Sequence, residues 1–221
     1  MIIFVMSDIH GAIKIFKETF DTLIKDNLKN NRENKLILLG DYLDRKNRDT
    51  KILYYLKDLQ EQFKNQIIML MGNHEFMFLE DIQTGPICFD DNDIIDWLKS
   101  LPFYYETDTQ IFVHAGIDEE AGEYWKWGTE DYFYCSKYPY TLGKFQKDII
   151  AGHIFTSEIM RDESYHKVYW DRKSHFYIDG QSEKSKFIPV LKYNTITKRY
   201  SSFEKISKED NTFLWSEYTI K

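Results

Sequence analysis

Ile2-Ile3-Phe4-Val5-Met6-Ser7-Asp8-Ile9-His10-Gly11 opens the chain, and its pattern recurs further on. An unbroken apolar run, rich in strand-favouring residues, stops abruptly at polar residues and a glycine. A strand that is apolar at successive positions has both of its faces covered. The same punctuation closes four more runs. Leu36-Ile37-Leu38-Leu39 ends in Gly40-Asp41, and Ile67-Ile68-Met69-Leu70-Met71 ends in Gly72-Asn73-His74-Glu75. Ile111-Phe112-Val113 ends in His114-Ala115-Gly116, and Ile149-Ile150-Ala151 ends in Gly152-His153.

Between these runs the period changes. Ile13, Phe16, Phe20, Leu23, Ile24 and Leu28 recur at helical spacing among charged residues, and residues 48–64 repeat the pattern through Ile52, Leu53, Leu56, Leu59 and Phe63. A further short helix is predicted after Asp91-Asn92-Asp93, carrying Ile94, Ile95, Trp97 and Leu98. Alternating strands and helices define an α/β chain. Beyond residue 160 the text turns strand-like and aromatic (Lys167–Trp170, Phe176–Ile178, Lys186–Tyr193). With no linker or repeat, residues 1–221 read as a single domain.

Composition narrows the function. The chain has 221 residues, 43% hydrophobic and 17% aromatic, which excludes a disordered protein. Its 29 basic and 36 acidic side chains give a net charge of −7, which argues against stable nucleic-acid binding. Two cysteines, Cys88 and Cys135, are too few for a disulfide framework and point to a reducing compartment. No run approaches the ~20 apolar residues of a membrane span, and Met1–Met6 lacks the charged start of a signal peptide. The expectation is a soluble cytoplasmic protein with no membrane partner.

The run endings hold the chemistry. Asp8, His10, Asp41, Asn73, His74, His114 and His153 all follow apolar runs, and in α/β sheets the carboxyl ends of strands line one crevice. Asp8 and His10, spaced i and i+2, point the same way on extended backbone. Each piece alone is ordinary: an Asp after a glycine ends many strands, and single buried histidines are usually core residues. The conjunction is not, since four of the six histidines share this context. His166 and His175 lack it and read as structural or surface residues. Imidazole, carboxylate and amide donors suit Mn, Fe or Zn better than Ca or Mg. Asp8, His10, Asp41, Asn73, His114 and His153 exceed what one ion needs, which suggests two divalent ions. Asp41, central in the order, is then the bridging carboxylate.

These blocks, Asp8-Ile9-His10-Gly11, Gly40-Asp41-Tyr42-Leu43-Asp44-Arg45, Gly72-Asn73-His74-Glu75, Val113-His114-Ala115-Gly116 and Gly152-His153, resemble the calcineurin-like metallophosphoesterases in type and order. The resemblance implies two mixed β-sheets in a sandwich flanked by helices, and a dinuclear phosphoesterase with Mn foremost and Fe or Zn as alternatives. The Gly-Asp-x-x-Asp-Arg and Gly-Asn-His-Glu forms are similar to the branch holding serine/threonine phosphoprotein phosphatases and symmetrical diadenosine-tetraphosphate hydrolases. On that pattern Asp8, His10 and Asp41 hold one ion, and Asp41, Asn73, His114 and His153 hold the other. His74 resembles the general acid, Asp44 its carboxylate partner, and Arg45 a phosphate-holding fork. The implied activity is hydrolysis of phosphomonoesters by a metal-activated hydroxide, on a phosphorylated protein or a small phosphoester. Diadenosine-tetraphosphate hydrolysis is the alternative, and a non-catalytic metal-binding module is argued against by the presence of His74.

The chain departs from the pattern in four places. Lys46 replaces a usual Gly, Met71 replaces an Arg, and Phe155 stands where other branches carry a metal-binding His. Trp127-Gly128-Thr129-Glu130 lacks a second phosphate-clamping Arg, leaving Arg48 and Arg161 as substitutes and predicting weaker phosphate binding. The acidic, aromatic stretch between His114 and His153 is expected to overhang the metals, most of its rings packing inward.

Overall fold

The computed structural model describes residues 1–44, 49–207 and 213–220. Its strands are β1 (Ile2–Met6), β2 (Lys35–Leu38), β3 (Ile67–Met69), β4 (Tyr104–Glu106), β5 (Gln110–Val113), β6 (Asp148–Phe155), β7 (Tyr169–Trp170), β8 (His175–Asp179), β9 (Leu191–Asn194), β10 (Arg199–Ser207) and β11 (Phe213–Thr219). Its helices are α1 (Ile13–Thr19), α2 (Lys25–Asn30), α3 (Lys51–Phe63), α4 (Asn73–Thr84), α5 (Asn92–Lys99), α6 (Trp125–Gly128), α7 (Asp131–Ser136), α8 (Thr156–Met160) and α9 (Ser182–Ser185).

Two mixed sheets form, in the orders β11-β10-β9-β1-β2-β3 and β4-β5-β6-β8-β7. The β1-β2-β3 and β5-β6-β8 neighbours are parallel, and antiparallel strands complete each sheet. This is the α/β sandwich expected from the resemblance. Each predicted run is a strand because each has an apolar layer on both sides. Ile3, Val5, Ile37, Leu39 and Leu70 face Phe112, Ile150, Phe176 and Ile178 between the sheets. The alternate residues Phe4, Met6, Leu36, Leu38 and Met69 pack outward against the helices.

The predicted helix over Ile13–Leu28 forms, with a difference. Phe16, Phe20, Ile24 and Leu28 are fully buried at an interval of four, which outruns the 3.6 residues of an α-turn. The chain widens into a π-turn at Phe20–Ile24 between α1 and α2, which keeps that stripe on the sheet. Helices α3 and α5 bury the predicted apolar positions, and the Asp91 side chain accepts from the Ile94 N–H at 3.2 Å as the cap of α5.

Gly72-Asn73-His74-Glu75 starts a twelve-residue helix, α4, that ends at Gly85 in the left-handed conformation such a stop favours. Lys186, expected at the head of a strand, lies instead in left-handed backbone after α9, and β9 begins only at Leu191.

The buried residues of the stretch between His114 and His153 lie on a sheet face. Trp125, Tyr134 and Ile117 pack on Ile111, Val113, Ile149, Ala151 and Tyr177, the outer face of the second sheet. The Tyr134 carbonyl accepts from the Ala115 N–H at 2.8 Å, and the Cys135 thiol donates to the Met71 carbonyl at 3.4 Å. Fewer rings pack inward than expected: Trp125 and Tyr134 are buried, while Tyr124, Trp127, Tyr132, Phe133 and Tyr138 are exposed. No helix among the described residues is long and apolar enough to cross a membrane.

Candidate metal centre

The tips of β1 and β2 are laced together beyond their strand ladder. The N–H groups of Asp8, His10 and Gly11 donate to the carbonyls of Gly40, Asp41 and Tyr42 at 2.8–3.1 Å. Asp8, His10 and Asp41 sit in these loops with φ of 53°, 45° and 55°. His153, at φ 64°, lies in β6 where the pairing with β8 shifts register between Ala151 and Phe155. Such a bulge re-aims a side chain out of the regular alternation. Left-handed backbone costs a non-glycine residue on the order of 1–2 kcal/mol, and four such residues at one spot mark strain held in place by the surrounding fold.

Crowding explains two glycines. A Cβ at Gly72 would strike the Asp41 amide and carboxylate, and one at Gly152 would strike Ser7 Oγ and Asp8 Oδ2.

Two groups of donors converge. In one, Asn73 Oδ1 lies 3.0 Å from both His114 Nε2 and His153 Nδ1, and Asp41 Oδ1 lies 3.4 Å from His114 Nε2. Ligand atoms of Asp41, His114 and His153 all fall within 4.8 Å of one another. In the other, His10 Nε2 lies 3.5 Å from Asp8 Oδ1 and 3.6 Å from Asp41 Oδ2. Asp41 Oδ2 is also 3.8 Å from His74 Nε2, and His10, Asp41 and His74 form the second compact group. His74 thus stands as close to His10 and Asp41 as a ligand would. His10 Nδ1 lies 3.2 Å from the Leu43 carbonyl, and donation there turns Nε2 toward Asp8 and Asp41.

The set fits divalent transition ions. Asp8 Oδ1 and His114 Nδ1 are buried without a hydrogen-bond partner, and Asp8 and Asp41 are each 1% exposed. A buried carboxylate oxygen left so is costly unless a cation faces it. Mixed imidazole, carboxylate and amide donors belong with Mn, Fe and Zn.

The electrostatics are tight. Burial raises the Asp41 carboxyl, but the neighbouring His114 and the rings of His10 and His74 drive it far below the carboxylate range. Asp8 is likewise raised by burial and brought net below its ordinary value by His10 and His114. Burial lowers His114, and the Asp41 charge overrides it, so the imidazole is raised to about 9.

Glu75, quoted in the motif but given no role from sequence, proves central. It is fully buried, and its carboxylate accepts from the N–H groups of Asp41, Tyr42 and Leu43 at 2.8, 2.9 and 3.0 Å. Burial and the Asp41 charge push it up to about 7 against those donors. It lies in the first turn of α4, and because the apolar pattern does not announce that helix, only its place in the Gly-Asn-His-Glu block could have pointed to it. Ser182 had none: its hydroxyl donates to the Asp8 carbonyl at 2.7 Å, with the Ile9 carbonyl 3.1 Å away, from a segment 174 residues distant.

Asp44 lines a cleft with His10 and Gly11. Arg45, Lys46 and Arg48 lie outside the described residues. Arg161 ends α8 in left-handed backbone, exposed. His175 is buried, its Nε2 3.0 Å from Glu119 and its Nδ1 near the Gly143 carbonyl and Asp171, a structural strut. His166 is half-buried.

A sandwich of mixed sheets whose loops gather this donor set defines a metal-dependent hydrolase of phosphoesters. The chain belongs to the calcineurin-like phosphoesterase family, whose profile matches residues 1–203. No curated protein matches it. Among solved structures it is similar to a metallophosphoesterase from Sphaerobacter thermophilus, at 14% identity and TM-score 0.52, over 96% of this chain and 91% of that one. It is also similar to a Saccharomyces cerevisiae protein serine/threonine phosphatase with similarity to human phosphatase PP5, at 14% identity and TM-score 0.55, over 100% and 80% of the two chains. At that identity both likenesses speak to the fold.

Proposed function

We propose that this chain is a dinuclear phosphomonoesterase of the cytoplasm, one catalytic domain acting on phosphoserine and phosphothreonine in proteins. The observation that carries the reading is Asp41: its two oxygens face separate donor groups, Oδ1 toward His114 and Oδ2 toward His10 and His74. Asp8, His10 and Asp41 would hold one ion, Mn foremost, and Asp41, Asn73, His114 and His153 would hold the other. When bound, two such cations neutralise phosphoryl oxygens and lower the pKa of a water between them toward neutrality.

The chain supplies the rest. His74, with a side chain 21% exposed, gives a proton to the departing serine or threonine oxygen, and Asp44 favours its charged form. Arg45 holds phosphoryl oxygens through its planar fork. Glu75 fixes the Asp41–Leu43 backbone, so the shared carboxylate needs no reorganisation during turnover.

The test is to incubate the Mn-loaded protein with a phosphothreonine peptide and, separately, with diadenosine tetraphosphate, and to weigh the products. Release of orthophosphate from the peptide, abolished by chelator, is expected. Cleavage of the dinucleotide alone would overturn the substrate, and turnover of neither would overturn the activity.

A further inference from the structure

Ser182 bolts the segment Gly180–Phe187 onto the loop that carries Asp8 and His10, and this segment leads from the candidate centre into a cavity of unassigned purpose. Ser182 is 2% exposed, and its hydroxyl spans the Asp8 and Ile9 carbonyls. Gln181 and Lys186, on either side of α9, both take left-handed backbone at φ 56°. The segment is therefore fixed at its root, with Lys186 on its outer end.

Lys186 borders two neighbouring spaces. The first, about 440 Å³, is a cleft shared with His10, Asp44, Lys14 and Glu183. The second, about 510 Å³, is lined by Lys167, Lys186, Lys205, His166, Glu204 and Phe187. The cleft is balanced in charge, with Lys14 and Lys186 facing Asp44 and Glu183. The cavity is not: among the described residues, three lysines and a histidine face a single carboxylate on its wall. That carboxylate, Glu204, is held by Lys167 at 2.8 Å. Lys205 reaches Glu18 at 2.6 Å and lies 4.4 Å over the Phe213 ring, which also lines the cavity. Lys186 donates to the Glu183 carbonyl at 2.6 Å, so its charge meets no carboxylate among the described residues. Ser164 and Ser185 add hydroxyls to the lining.

We propose that this cavity is a second phosphoryl subsite, reached from the candidate centre past Lys186, and that the chain favours phosphoesters bearing a further phosphoryl group. The inference rests on the phosphoesterase reading for its sense. It also speaks to the missing second arginine: ammonium groups on a separate wall take up substrate charge that a guanidinium beside the metals would otherwise meet. Ammonium groups are point charges and accept either a polyphosphate chain or a second phosphorylated side chain. The cavity lies within the size range of small-ligand sites.

Binding to the full-length protein stripped of metal by chelator separates the two ideas. Calorimetric titration with inorganic tripolyphosphate, ADP, a doubly phosphorylated peptide and orthophosphate is the direct measure. Tripolyphosphate is expected to bind at least tenfold tighter than orthophosphate, and Lys186→Glu to weaken it at least tenfold, with a smaller loss in Lys205→Gln. The tighter of ADP and the peptide identifies where the second phosphoryl group comes from. Tripolyphosphate binding no tighter than orthophosphate, or unchanged in Lys186→Glu, overturns the subsite. With Mn restored, Lys186→Glu is expected to raise KM for the doubly phosphorylated peptide at least fivefold more than KM for 4-nitrophenyl phosphate. Equal effects on both overturn it as well. Failure of wild type to turn over 4-nitrophenyl phosphate overturns the catalytic reading and leaves the titration to decide the subsite.

Discussion

The two halves of the candidate centre share Asp41 but differ in how far the protein alone completes them. Around Asn73, one amide oxygen already draws two imidazoles to 3.0 Å, and His114 is wholly buried. Around Asp8, one carboxylate oxygen meets no hydrogen-bond donor, the nearest imidazole stands 3.5 Å off, and His74 opens to solvent. The first half is preorganised, and the second would need an ion to complete it. Removing reorganisation from binding raises affinity, so the Asn73 half should load first and more tightly.

The largest effect should come from the residue common to both halves. Asp41→Asn is expected to lower hydrolysis of 4-nitrophenyl phosphate by about a thousandfold or more. Elemental analysis should find fewer than two ions per chain, and two retained ions with normal turnover would refute the bridge. Next come the single halves. Titration of wild type with Mn should show two steps, with Asp8→Ala erasing only the weaker and His114→Ala erasing the tighter; the reverse order would invert the comparison.

His74→Asn decides how that residue belongs to the open half. As proton donor it should cost about a hundredfold in kcat on a phosphothreonine peptide, much less on 4-nitrophenyl phosphate, and leave the metal content intact. As a ligand beside Asp41 it would lower the metal content too. Glu75→Gln keeps the shape but replaces an acceptor oxygen by an amide, leaving a backbone N–H of the Asp41–Leu43 loop without an acceptor. A loss of about 2 kcal/mol in urea unfolding is expected.

The smallest effect lies away from both halves. Burial lowers the His175 imidazole, and Glu119 and Asp171 outweigh it, so its folded pKa is above the ordinary 6.5. A group raised on folding stabilises fully below its unfolded pKa, and that contribution fades as pH rises through the higher folded value. The melting temperature of wild type should therefore lose about 2 °C more than that of His175→Gln from pH 6 to pH 9. Both proteins should keep the two-step Mn loading.

Much of this was legible because strands buried on both faces announce themselves as apolar runs, and because each run ends at the same kind of side chain. Asp8, Asp41, His114 and His153 were found that way, and the structure gathers them. Helix α4 was obscured because its first residues follow a strand directly, so Asn73 reads as a strand ending. The stretch from His114 to His153 misled for a different reason: acidic and aromatic composition does not say which face a segment covers. Glu119, one of the acids in that stretch, is tied to Lys137 and His175. Ser182 depends on a contact 174 residues away, and the cavity beyond Lys186 gathers side chains scattered from Ser164 to Phe213, which no local pattern encodes.

That same long-range bolt sets an order of events at the ribosome. β1 is flanked in its sheet by β9, and the carbonyls beside Asp8 find their hydroxyl donor only at Ser182. A nascent chain can thus pair β1 with β2 early, yet the Asp8 and Ile9 carbonyls gain the Ser182 hydroxyl only after residue 182 has emerged. Non-local closure of this kind slows folding. A truncated translation product ending after His153 but before Ser182 would therefore keep the donors of the Asn73 half but leave the Asp8 half without its anchor.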